Sequence, residues 1–297
     1  MDIVGGHAPE TWRALATLPG VTGEPRPLSP LDRAALSEAV RLLEYETFIA
    51  RATYALGRSV SGMSAFMPET ARKMASKATT AALSRAMDVA IGSLGATIGG
   101  KEPAPARTRL HKSLLTASGA ASGAFGLAAL PIELPVSTAL ILRSIADVAR
   151  SEGEDLAHPG AALACMEVFA LGGRTSIDDQ VDSAYFALRA VLASSVSEAA
   201  KHVARHGMAI QGAPVIVRLM ALLSARFGIV VSQKMAAQSI PVIGAIGGGA
   251  INYAFAEHFI GLARGHFTVR RLERAYGAAA IEDEYARLAE IWRVSRS

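Results

Sequence analysis

The chain has 297 residues, 51 % of them apolar and 19 % charged, with a formal charge of +4 at pH 7. That length accommodates one large or two ordinary domains with a substantial core, and the composition lies on the greasy side of globular averages of about 45–50 % apolar and 25 % charged. A pI near 9.4 favours anionic partners, but no interleaving of arginine with aromatic residues marks a single-strand binder, so nucleic acid is not an expected partner.

Residues 1–28 carry Pro9, Pro19, Pro25 and Pro27 and read as an irregular lead-in. Ser29-Pro30-Leu31-Asp32 then supplies an N-cap, a proline at the first helical position and an acid in the first turn, which predicts a helix running to Gly57. A second helix is expected from Pro68-Glu69 towards Gly100, before the break at Lys101-Glu102-Pro103-Ala104-Pro105. Its end, Met87–Gly100, is the first of three apolar stretches studded with glycine; the others are Ser113–Leu142 and Met235–Ala256.

Pro131 and Pro135 divide the second stretch, so two helices or a helical hairpin with Glu133 at its bend are expected, the second arm ending at Gly153. A short helix should follow Pro159 and stop in a left-handed turn at Gly172-Gly173. Ser176-Ile177-Asp178-Asp179 caps a helix reaching Gly207, and later helices start at Pro214 and Pro241. Ile281, Tyr285, Leu288 and Trp292 share one face of a last helix over 281–294. No alternating strand pattern occurs. The expected class is an all-α multi-helix bundle with glycine-rich apolar hairpins, forming one domain over 29–297.

Glycine inside a helix costs about 0.5–1 kcal/mol relative to alanine, so its recurrence in apolar runs needs a reason. Small residues stand four apart at Gly95 and Gly99, Gly119 and Gly123, and Gly244 and Gly248, a spacing that lets helix backbones approach closely in a membrane or inside a bundle. Basic residues flank each run. Lys101, Arg107, Arg109, His111 and Lys112 precede the second, and Arg264, His266, Arg270 and Arg271 follow the third. Each lysine or arginine near an anionic bilayer contributes on the order of 1 kcal/mol. Polar and small residues dilute the runs too far for autonomous transmembrane helices, so interfacial contact is the better expectation.

Motifs with recognisable chemistry are few. Gly95–Lys101 approaches a phosphate-binding loop, but Glu102 stands where a hydroxyl should bind magnesium and no strand precedes it. Asp178, Asp179 and Asp182 match a DDxxD pattern, yet carboxylates in a first helical turn complement the helix dipole without a metal. Glu198, His202 and His206 recur every fourth residue and offer three ligands for zinc or another divalent metal. No cofactor is otherwise implied, and no nucleophile motif surrounds a serine. The single cysteine, Cys165, rules out an internal disulfide and suits a reducing compartment. Met1–Gly6 lacks the basic and apolar regions of a signal peptide, so a cytoplasmic location is expected.

Several blocks together resemble the EcsC family of bacterial proteins over roughly residues 30–280. They are Leu130–Pro135 followed by Ile145-Ala146-Asp147, Glu167–Gly173, Ala184–Arg189, Ile240–Ala245 with Asn252, and His266–Glu273 ending at Tyr276-Gly277. The resemblance implies a helical fold. The family is named for a gene beside an ABC transporter, which implies a membrane-transport protein as a partner. The expected function is a helical protein that engages anionic membranes or lipid through its glycine-rich hairpins and basic flanks, peripheral at the inner face of the cell membrane. The alternatives are a metal-dependent enzyme at Glu198, His202 and His206, and a soluble interaction scaffold.

Overall fold

The structure, a computed structural model, describes residues 27–56, 68–92, 108–123, 129–173, 184–206, 213–238 and 244–295. All regular structure among them is helical: α1 (Pro30–Val40), a π-helical turn (Arg41–Tyr45), α2 (Phe48–Leu56), α3 (Glu69–Gly92), α4 (Thr108–Gly123), α5 (Leu130–Ser151), α6 (Pro159–Leu171), α7 (Ala184–His206), α8 (Pro214–Gln238), α9 (Gly244–Tyr276) and α10 (Ala278–Val294). The multi-helix all-α class is as expected. The lead-in, the DDxxD acids and the loop around Gly95–Glu102 lie outside the described residues.

Local signals account for most helix starts. The Ser29 hydroxyl accepts from the Asp32 amide at 3.1 Å, and prolines open α1, α6 and α8 where no helical N–H is needed. Three expectations are corrected. The helix predicted over 30–57 is interrupted after Tyr45, since the π turn ends with Glu46 in extended backbone. Pro135 lies inside α5 rather than at a bend, so Glu133 is a helical residue in the first turns of α5. At that position Pro135 forfeits a hydrogen bond only to the first residues of the helix, where little structure lies upstream to break. Gly172 has φ −71°, so α6 does not stop in a left-handed turn; positive φ occurs instead at Gly153 and Gly277 among the described glycines. Gly173 is required by proximity, because a Cβ there would fall 2.0 Å from the Arg226 carbonyl oxygen on α8.

The 33-residue helix α9 is the axis of the molecule. Its Phe255 and Phe259 pack against Phe227 of α8, Phe259 against Phe169 of α6, and Phe255 edge-on to Phe48 of α2 with centroids 5.7 Å apart. Five fully buried phenylalanines thus hold the centre, each aromatic pair adding about 0.5–1.5 kcal/mol to the area it buries. Directions follow from pairs. Lys112 of α4 meets Glu257, while Gly119 lies against Gly248 and Asn252, so α4 runs antiparallel to α9. Glu133 meets Asn252 and Glu152 meets Arg271, so α5 runs parallel to it. Lys234 of α8 reaches Glu133 while Phe227 reaches Phe259, so α8 is antiparallel again.

At the far end of α9, α1 and α10 close the bundle through hydroxyls. Tyr276 Oη donates to Asp32 at 2.7 Å, Tyr285 Oη to buried Glu44 at 3.1 Å, and Tyr45 Oη to the Ala289 carbonyl at 2.8 Å. As the sequence pattern implied, Ile281, Tyr285 and Leu288 are buried on the inner face of α10.

Candidate functional site

These directions have a consequence for the glycine-rich stretches. The C-terminal ends of α4 and α8 and the N-terminal ends of α5 and α9 meet at one end of the bundle. Adjoining it, Ser113–Gly123 of α4 and Gly244–Ala256 of α9 contain no charged residue, and the only charges in Leu130–Leu142 of α5 and Phe227–Gln238 of α8 are Glu133 and Lys234. Both of those are buried. The uncharged zone on α9 is 13 residues, about 20 Å at 1.5 Å per residue. Proceeding away from the end, the first charges on α4 and α9 are Lys112 and Glu257, and they pair with each other.

Large apolar side chains stand exposed at this end: Ile246 at 90 %, Ile132 at 77 % and Val136 at 47 %. Leu31, Tyr54 and Val191 are exposed elsewhere, but an isolated apolar residue on a charged surface is ordinary. A patch without nearby charge is less so. The third apolar stretch is not one helix: Met235–Gln238 closes α8 and Gly244–Ala256 opens α9. Among the described helices α8 alone is long and apolar enough to cross a membrane, with a mean hydropathy of 1.9, although Leu219, Leu223, Phe227 and Val230 are core residues.

The glycine spacing is used inside the fold. A Cβ on Gly119 would lie 2.5 Å from both Asn252 Cβ and the Gly248 carbonyl oxygen, and one on Gly249 would lie 3.3 Å from the Thr116 carbonyl. Gly119 and Gly248 therefore join α4 to α9; Gly123 and Gly244 are the helix ends beside them. Beneath the contact lies a buried polar group. Lys234 Nζ donates to Glu133 Oε1 at 2.7 Å, Asn252 Nδ2 donates to the same oxygen at 2.8 Å, and the ammonium sits 4.5 Å from the Phe255 ring centroid. Burial raises the Glu133 carboxyl, but Lys234 and the donated hydrogen bonds outweigh it and hold the group below the ordinary carboxylate value. Sequence reasoning missed this group, since Glu133 and Lys234 are 101 residues apart.

The basic flanks have several fates. Lys101 and Arg107 lie outside the described residues, and Arg109 is in the first turn of α4. Lys112 meets Glu257 of α9, which Arg51 also reaches, and exposed Arg264 stands two turns further along the same helix. Arg270 forms a bidentate pair with Glu154 at 2.8 and 3.1 Å, and Arg271 bridges Glu152 and Asp32. His266 is not a surface cation: it is wholly buried, hydrogen-bonded to Tyr185 Oη at 3.0 Å through Nδ1, and kept neutral chiefly by desolvation. The metal-ligand expectation also fails to assemble. Glu198 faces Arg218 at 3.8 Å, the His202 and His206 rings stack at 4.4 Å, and no group of three His, Cys, Asp or Glu able to hold a metal occurs among the described residues. Cys165 is buried, with its thiol pushed up to about 12 by desolvation, as a small core residue should be.

Comparison with known families matches residues 55–272 to the EcsC protein family. The chain belongs to the EcsC family. In this EcsC protein the match takes in α3 through α8 and most of α9, and leaves out α1, the π turn and α10. Both the buried Glu133–Lys234–Asn252 group and the uncharged end therefore belong to the family region. Comparison with curated proteins and with solved structures finds no match.

A second buried histidine of the EcsC region gives a pH prediction. His258 contacts the Gly172 carbonyl through Nε2 at 3.4 Å, and burial together with the charge of Arg51 lowers it to about 3. In the unfolded chain it titrates near 6.5, so below that pH the unfolded state binds the additional proton and stability falls as pH drops. Between pH 6.5 and 5 this group removes about 2 kcal/mol. Urea unfolding of wild type and His258→Gln should show a shallower acid limb for the variant; parallel limbs would contradict the assignment.

Proposed function

We propose that this EcsC protein binds a membrane surface by seating the uncharged end of its bundle in one leaflet. The observation that carries the reading is the convergence of four helix ends without exposed charge around Ile132, Val136 and Ile246. Half of a bilayer's hydrocarbon core is about 15 Å thick, comparable with the uncharged zone of α9. Seated to that depth, the end would place Lys112 and Glu257 at head-group level, where lysine favours anionic lipids, with Arg264 two turns further from the bilayer. The glycine-packed contact of α4 with α9 keeps the inserted portion slender, while Lys234 and Asn252 both donate to Glu133 Oε1 away from lipid. The reading carries with it a peripheral position at the inner face of the cell membrane and leaves the opposite end, with its ion pairs, for a transport-protein partner.

Fully burying an isoleucine contributes on the order of 1.5–3 kcal/mol. Replacing Ile132 and Ile246 together with aspartate should therefore abolish co-flotation with phosphatidylglycerol-containing vesicles, with an unchanged thermal midpoint because neither side chain is in the core. Leu31→Asp, 84 % exposed on α1, is the matched control and should float as wild type does. Equal flotation of wild type and the double variant would overturn the proposal. Changing Arg107, Arg109 and Lys112 to glutamate should reduce the preference for anionic over neutral vesicles.

A further inference from the structure

Two oxygens inside the uncharged end find no donor in the protein. Glu133 Oε2 and Asn252 Oδ1 are both buried, and neither has a hydrogen-bond partner among the described residues. Both belong to the group around Lys234, a lysine that is itself wholly buried. Buried polar atoms are nearly always hydrogen-bonded, and leaving one unmatched costs about 1–3 kcal/mol. Two such acceptors in one cluster require a donor from elsewhere.

The existing bonds locate where that donor must stand. Asn252 spends its amide protons on Glu133 Oε1 at 2.8 Å and on the Leu115 carbonyl at 3.3 Å. This pairing fixes the direction of the amide, because the flipped orientation would set acceptor against acceptor. Lys234 gives a proton to the same Oε1 at 2.7 Å and rests against the Phe255 ring, with no second acceptor oxygen among the described residues. An ammonium has three protons to give. Ser137, one turn on from Glu133, commits its hydroxyl proton to the Leu134 carbonyl at 3.1 Å. The two oxygens of a carboxylate are about 2.2 Å apart, so Oε2 stands within about 5 Å of Lys234 Nζ without bonding to it. One water spans about 5.6 Å with two ordinary hydrogen bonds.

Charge selects the kind of ligand. A metal cation would meet the Lys234 ammonium and an anion the Glu133 carboxylate, both in a poorly screened interior. A neutral molecule that donates and accepts meets neither objection. We propose that Glu133, Lys234 and Asn252 form the binding site of one resident water, which donates to Glu133 Oε2 and Asn252 Oδ1 and accepts from Lys234 Nζ. Three bonds to otherwise unmatched groups are the usual complement of a buried water. The water closes the ring begun by the ion pair, so each carboxylate oxygen is held by a donor. The site does not depend on the membrane reading, because its groups lie inside the bundle whether or not that end meets lipid.

The test is a high-resolution crystal structure of the full chain, with a second set of crystals soaked in rubidium bromide. The expected result is a density peak between about 2.6 and 3.2 Å from Oε2, Oδ1 and Nζ, with no anomalous signal from rubidium or bromide on it. In solution, magnetic relaxation dispersion of the water resonance should count one more long-lived water in wild type than in the double variant Glu133→Leu with Lys234→Met, its fold verified by circular dichroism. An anomalous peak at the site would overturn the assignment to water. No density beside Oε2 and Oδ1, or side chains turned so that protein donors reach both, would overturn the site itself. Equal numbers of long-lived waters in the two proteins would do the same. If the double variant fails to fold, the wild-type crystals decide alone.

Discussion

Lys234→Met alone should destabilise the protein by about 3–5 kcal/mol, the cost of leaving a buried carboxylate without its counter-charge. Glu133 is 5 % exposed, and its Oε1 accepts both the Lys234 ammonium and the Asn252 amide, so the loss removes the stronger of two donors from an anion far from water. The single change Glu133→Leu should cost a similar amount for the opposite reason, a stranded ammonium against Phe255. Combining the two should recover much of the loss, because two apolar residues of similar volume need neither desolvation nor a partner. Urea denaturation of the four proteins forms the cycle. Single losses below about 1 kcal/mol would mean that water reaches the pair and that this end is not closed.

The second large effect concerns glycine. Gly119→Ala should cost at least about 1–3 kcal/mol through overpacking, and Gly173→Ala more, because the added methyl meets backbone at 2.5 Å in the first case and at 2.0 Å in the second. Gly228→Ala provides the contrast. Its Cβ would find only Thr79 Cγ2 at 4.0 Å, so the replacement should stabilise α8 by about 0.5–1 kcal/mol through helix propensity. Thermal melts read in that order would establish that the glycines of α4 and α9 are a packing device. If Gly119→Ala melts with wild type while flotation falls, the glycine acts at the membrane instead.

Much of the fold was legible locally, and its failures have physical causes. Ser29 with Asp32, and the prolines opening α1, α6 and α8, act within a few residues of themselves, so the sequence exposes them directly. Pro135 reads as a break because proline usually is one, but so near the start of α5 it has almost no upstream helix to disrupt. Gly172-Gly173 marks the end of α6 correctly for an unexpected reason, close approach to Phe259 and to the Arg226 backbone. The candidate site was less legible. Runs without charge are visible in one dimension, but whether their ends meet depends on the direction of each helix, which Lys112–Glu257 and Glu133–Lys234 disclose only in three. The basic flanks looked alike on paper. Arg270 and Arg271 are committed to Glu154, Glu152 and Asp32, whereas Arg264 lines a pocket, and no spacing rule separates those cases.

The two halves of α9 are secured by different physics. Its last turns are clasped through Arg270, Arg271, Glu273 and Arg274 to Glu154, Glu152, Asp32 and Arg189, whereas its first turns rest on glycine contact and apolar packing. Salt screens partly exposed ion pairs, and excluded salts such as sulfate reinforce apolar burial. One helix thus carries opposite responses to ionic strength at its two ends: added sulfate loosens the clasp that holds α1, α5 and α7 while tightening the end made by α4, α5 and α8. The least stable part of the molecule is therefore set by the solution, and the order in which its two ends open can be reversed without changing a residue.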